Sequence, residues 1–102
     1  MSGLQFLLFE RSEGDDGTVT LDALASTRAA QHKAVLAEVA AVLDWAGREF
    51  PGQQGPLEEG MTWHHDLQIS EEPGGWLAVA LSLGCTPPFA DALLARFAGE
   101  EA

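Results

Sequence analysis

Three groups of residues in this 102-residue chain are of types that do chemistry: His64, His65 and Asp66 in a row, the lone Cys85, and the acidic run between Glu13 and Asp22. A carboxylate two residues from an imidazole on one strand face can orient the ring and stabilise its charged form. His64 and Asp66 have that spacing, which suits a general base or half a metal site. The preferred reading is simpler, a solvated surface pair without a chemical role. Adjacent His64 and His65 point to opposite faces of a strand, so they do not share an ion. A zinc site needs three or four ligands, and neither Cys85 nor His32 stands at a spacing that recruits it. No metal, no cofactor and no catalytic residue is therefore expected.

Cys85 precedes a predicted helix N-terminus, where the dipole favours a thiolate. The preferred reading is again the plain one, a small apolar filler at a strand end. The acidic run resembles a calcium loop only superficially. With glycine at Gly17, the ligand positions fall on Ser12 and Gly14 and the closing carboxylate on Ala23, so the register fails. No phosphate-binding glycine loop, nucleophile elbow or zinc cysteine set occurs.

Composition narrows the classes further. Sixteen acidic against five basic residues give a net charge of −11, which repels phosphate backbones and anionic membrane surfaces. Direct nucleic-acid or membrane binding is not expected. The same charge admits one alternative, an acidic inhibitor that mimics nucleic acid towards a basic protein. The acids fall in short clusters in predicted loops and tails, where solvated charge serves solubility. A single cysteine excludes an intramolecular disulfide and agrees with a reducing compartment. The apolar run at 4–9 is too short for a secretory core and lacks a basic lead. No stretch approaches the roughly 20 apolar residues of a membrane span. A cytoplasmic protein of one domain, 1–102, is expected, and 46% hydrophobic residues can close its core without disulfide or metal.

The elements that position these residues follow from periodicity. Residues 4–10 are apolar on both alternating sets and read as a strand; 12–17 is a turn rich in glycine and aspartate. Residues 18–25 alternate, with Val19, Leu21 and Ala23 on one face, although Leu21 to Ala25 is also a fair helix former. Ser26 or Thr27 is the expected N-cap of a long helix through Phe50, with Val35, Leu36, Val39, Val42, Leu43, Ala46 and Phe50 as its apolar stripe. Trp45 sits at the stripe's margin and is expected to be partly exposed. Pro51-Gly52 ends the helix, and 53–60 reads as a loop.

Residues 62–84 read as a hairpin. Trp63, His65, Leu67 and Ile69 share one face, and His64, Asp66, Gln68 and Ser70 the other. With Pro73-Gly74 at the tip, Ile69 pairs with Leu77, Leu67 with Val79, Ser70 with Trp76 and Asp66 with Ala80. Thr86 is the expected N-cap of a last helix that opens on Pro87-Pro88, carries Phe89, Leu93 and Phe97 inward and stops at Gly99. The fold expected is α+β in the order ββαββα, a four-stranded antiparallel sheet with two helices packed on one face.

Two helices on one face leave the other open. There the second hairpin carries His64, Asp66, Gln68, Trp76 and Ser82, the candidate binding residues, beside small alanines. Such a mixture fits a surface that another body covers. The expectation is a small interaction module that self-associates, as a homodimer, or binds a protein partner through this face. The alternatives are a small enzyme or metabolite binder using His64 and Asp66, with Trp76 as an apolar wall, and the acidic inhibitor.

Overall fold

The computed structural model describes residues 4–97. Strands β1 (Phe9–Glu13) and β2 (Val19–Arg28) form a hairpin that leads into helix α1 (Ala29–Glu49). Strands β3 (Trp63–Glu72) and β4 (Trp76–Cys85) form a second hairpin that leads into helix α2 (Pro87–Phe97). All pairings are antiparallel and the strand order is β1-β2-β4-β3. The second strand of each hairpin lies at the centre and the first at an edge. The α+β fold and its ββαββα order are those read from the sequence.

Strict alternation decides which face each residue takes. Val19, Leu21, Ala23 and Ala25 of β2, and Val79, Leu81, Leu83 and Cys85 of β4, are all buried beneath the helices. The helices answer with Val35, Val39, Val42, Trp45 and Ala46 from α1 and with Phe89, Ala90, Leu93 and Phe97 from α2. Removing one such leucine side chain from water is worth roughly 1.5–3 kcal/mol, so these positions carry the stability of the fold. The Thr86 carbonyl accepts the first bond of α2, from the Ala90 N–H at 3.1 Å, and Pro87-Pro88 fill the opening positions where a missing N–H costs nothing. The expected stop at Gly99 lies outside the described residues.

Several boundaries differ from the sequence reading. The first strand is Phe9–Glu13, not 4–10. The segment before it is pinned instead to α1: the Glu38 carboxylate accepts the backbone N–H groups of Gln5 at 2.7 Å and of Phe6 and Leu7 at 3.0 Å each. Ser26 and Thr27 do not cap α1. They are rungs of the β2–β4 ladder just before its end, because β4 is ten residues long and pairs with β2 from Val19↔Cys85 to Arg28↔Trp76. The position before α1 is Arg28, without a side-chain cap. A short 3-10 turn, Leu57–Glu59, lies within the expected 53–60 loop.

The second hairpin keeps its expected faces but shifts by two residues. Ile69 pairs with Val79, Leu67 with Leu81 and Asp66 with Ser82. Three residues, Pro73, Gly74 and Gly75, form the tip rather than two. Gly74 and Gly75 have φ of +87° and +83°, a succession that a side chain would strain and that glycine permits. Trp45 is not marginal; it is 8% exposed. Its ring meets Phe50, Phe89 and Phe97 edge-on at centroid distances of 5.7–5.9 Å, a cluster to which α2 contributes two members.

Candidate functional site

The open sheet face is organised in rows that cross the strands, each fixed by the ladder register. One row reads Ser12, Thr20, Gly84, His64. The next reads Glu10, Asp22, Ser82, Asp66. Leu24, Ala80 and Gln68 follow, with Leu8 continuing the register opposite Leu24 just ahead of β1. Beyond them lie Ser26, Ala78 and Ser70, and finally Arg28, Trp76 and Glu72. All are even-numbered, and all follow from period-two alternation.

The second and third rows border a shallow depression of about 560 Å³. Its apolar floor and wall come from Leu8, Leu24 and Ala80. Its polar rim comes from Glu10, Asp22, Asp66, Gln68 and Ser82. Leu8 is 75% exposed and Leu24 66% exposed, the two most exposed large apolar side chains of the described residues. Glu10 and Asp22 stand directly opposite each other, an arrangement of like charges that costs on the order of a few tenths of a kcal/mol. The carboxylates of Glu10, Asp22 and Asp66 take part in no ion pair or hydrogen bond among the described residues. The depression is therefore an apolar trough edged by uncompensated negative charge. No group of three or more His, Cys, Asp or Glu side chains among the described residues is arranged to hold a metal ion.

Of the candidate residues read from the sequence, Asp66, Gln68 and Ser82 line this depression. His64 and Trp76 do not. The His64 ring lies across β4 above Gly84, so close that a Cβ there would stand 2.6 Å from Nε2. It makes no hydrogen bond with Asp66 among the described residues. His64 instead borders a concavity at the sheet edge with His65, Gln54 and Glu58. Trp76 is six residues along β4 from Ser82, roughly 20 Å at strand rise, and is covered by the Arg28 guanidinium at 4.5 Å from its ring centroid. A site that uses His64 and Asp66 with Trp76 as its wall is not assembled.

His65, on the helix side of β3, is half-buried, and its Nδ1 is 3.2 Å from Gln54 Nε2. Cys85 is fully buried; burial pushes its thiol up to about 11, so it is protonated and shielded at neutral pH. In the first turn the Asp16 carboxylate accepts from the Thr18 hydroxyl and N–H at 2.7 and 3.1 Å, bonds that hold it below the usual carboxylate range.

The alternation of the first strand offers Leu8, with Leu4 and Phe6, as one of two sets for the open face, whereas Glu10, Asp22 and Leu24 are not singled out by sequence reasoning. The signal existed in the alternation of the first hairpin: once Val19 and Leu21 face the helices, Asp22 and Leu24 must face away. What the chain alone does not reveal is that β2 lies next to β4, which brings these residues beside Asp66 and Ser82. No helix of the described residues is long and apolar enough to cross a membrane. No protein-family model, curated protein or solved structure matches this chain.

Proposed function

We propose that this protein is a small binding module that receives an apolar and basic segment of a protein partner in the trough on its open sheet face. The observation that carries this reading is the coincidence of Leu8 and Leu24, both strongly exposed, with three carboxylates that have no cation of their own. Exposed leucines favour an occupant that shields them from water, worth roughly 25 cal/mol per Å². The carboxylates select for lysine or arginine beside that apolar contact and steer its approach. A second copy of this chain is the poorer occupant, because face-to-face stacking would bring the carboxylate row against its own image. An enzyme using His64 and Asp66 has less support, since the two side chains do not engage each other.

The test uses a short peptide alternating leucine and lysine and a control alternating serine and lysine. Fluorescence anisotropy at 0.15 M salt, where bare charge attraction is screened beyond about 8 Å, should show tight binding of the first peptide only. Leu24→Ser should weaken it at least tenfold, and Asp22→Asn by severalfold. Equal binding of both peptides, unchanged by Leu24→Ser, would reduce the interaction to general acidity and would favour the acidic-inhibitor reading.

A further inference from the structure

The sheet has two edges, and they differ in length and in exposed apolar area. β1 is five residues long and carries Glu10, Arg11 and Glu13, charge and brevity being common means of blunting an edge. β3 is ten residues long, has no proline or lysine within it, and leaves Leu67 and Ile69 37% and 49% exposed on the helix side. Among the described residues its outer edge is occupied only at Trp63, whose N–H donates to the Gln53 carbonyl and whose carbonyl accepts from the Gly55 N–H. Backbone groups along an antiparallel strand alternate in direction. With Trp63 pointing outward, the N–H and C=O groups of His65, Leu67, Ile69 and Glu71 point outward too, and none is bonded among the described residues.

We propose that β3 pairs with β3 of a second copy of this chain, antiparallel about a two-fold axis through Gln68, joining two sheets into one of eight strands. This register sets Leu67 opposite the other copy's Ile69, His65 opposite its Glu71, His64 opposite its Glu72 and Asp66 opposite its Ser70. In this register no acid stands opposite another acid, and the exposed leucine and isoleucine of both copies cover one another; within each copy Glu72 accepts from the Ser26 hydroxyl at 2.9 Å and the His64 ring lies over Gly84. The ladder ends at Pro73, which has no N–H to offer, opposite the Trp63 edge that residues 53–55 already fill. The neighbouring registers fail on the same residues. A shift of the axis one residue towards Ile69 opposes Asp66 to Glu72 and Leu67 to Glu71. A shift one residue towards Leu67 drives Glu71 onto the occupied edge at Trp63. The interface is isologous; it leaves Leu8 and Leu24 of the trough uncovered, and shares with the trough only its β3 rim, Asp66 and Gln68.

Sedimentation velocity on the full chain across a concentration series should give a species of twice the 10.8 kDa chain mass. Ile69→Pro removes an outward N–H and no bond to β4, and should yield a monomer with an unchanged far-ultraviolet circular dichroism spectrum. Ser70→Lys, facing Asp66 of the other copy, should lower the dimer Kd severalfold, and Ser70→Glu should raise it at least tenfold. Gln68→Cys, on the axis, should cross-link to itself under diamide, whereas Ser70→Cys should not. A chain that stays monomeric at millimolar concentration overturns the proposal. So do Ser70→Lys and Ser70→Glu shifting Kd in the same direction, or cross-linking at Ser70→Cys in preference to Gln68→Cys.

Discussion

The two faces of the sheet are built from the same four strands and differ in almost everything else. On β2, Val19, Leu21, Ala23 and Ala25 are buried under the helices, while Asp22, Leu24 and Ser26, interleaved with them, lie exposed. One face spends its side chains on close packing. The other combines exposed leucine with carboxylates that have no counter-ion among the described residues, an arrangement of like charges that costs a little stability. A single strand thus carries two patterns by parity, one that specifies the fold and one that packing leaves unconstrained. Substitutions on the two faces should separate cleanly.

The largest contrast lies between neighbours three apart on β2. Leu21→Ala, at a fully buried position, should lower unfolding stability by about 2–5 kcal/mol. Leu24→Ala should change it by no more than about 0.5 kcal/mol. Urea unfolding of both variants checks this, and a comparable loss at Leu24 would mean the open face is packed after all.

Cys85 extends the contrast to pH. Its thiol titrates near 11 when folded against 9.0 for an unperturbed group. Above pH 9 the unfolded chain sheds a proton that the folded chain keeps, so this contribution to stability is full below about pH 9 and is lost as pH rises towards 11. The urea midpoint of the native chain should fall across that window, and that of Cys85→Ala should fall less. At pH 8 a disulfide reagent should label the folded thiol at least ~100-fold more slowly than the unfolded one, two units of acidity being a hundredfold in thiolate.

A smaller effect is expected at Glu38, which holds the N-terminal segment against α1 through three successive backbone N–H groups. Glu38→Ala should cost about 1–2 kcal/mol and accelerate amide exchange at Phe6 and Leu7 without disturbing the sheet. The smallest and most telling change is Asp22→Asn. Removing one of two opposed carboxylates should stabilise the fold by a few tenths of a kcal/mol while weakening peptide binding in the trough. Loss of stability there would contradict the view that this row is held for recognition.

Parity was legible in the sequence because it is local: the alternation of Val19, Leu21 and Ala23, or of Trp63, His65 and Leu67, needs no knowledge of neighbours. The same alternation gave Asp66, Gln68 and Ser82 their correct face. Lengths and registers were not legible, because they depend on pairing between distant segments. Ser26 and Thr27 look like helix caps until β4 is seen to run far enough to keep them in the ladder. Trp45 looks marginal on α1 alone and becomes central once Phe89 and Phe97 arrive from α2. The His64–Asp66 spacing was read correctly as sequence, but the bare backbone at Gly84 draws the imidazole sideways over β4. A side chain at that position would force the ring to move. Gly84→Ala should therefore shift the His64 ring resonances with little change in fold.

Uptake of an apolar, basic segment in the trough lined by Leu8, Glu10, Asp22, Leu24 and Asp66 is decided by an amide-resolved NMR titration with the leucine–lysine peptide. Saturable shifts are expected at residues 8–10, 22–24, 66–68 and 80–82, with the loop acids Glu58 and Glu59 silent. Shifts centred on those loop acids, or spread evenly over every acidic residue, would contradict it.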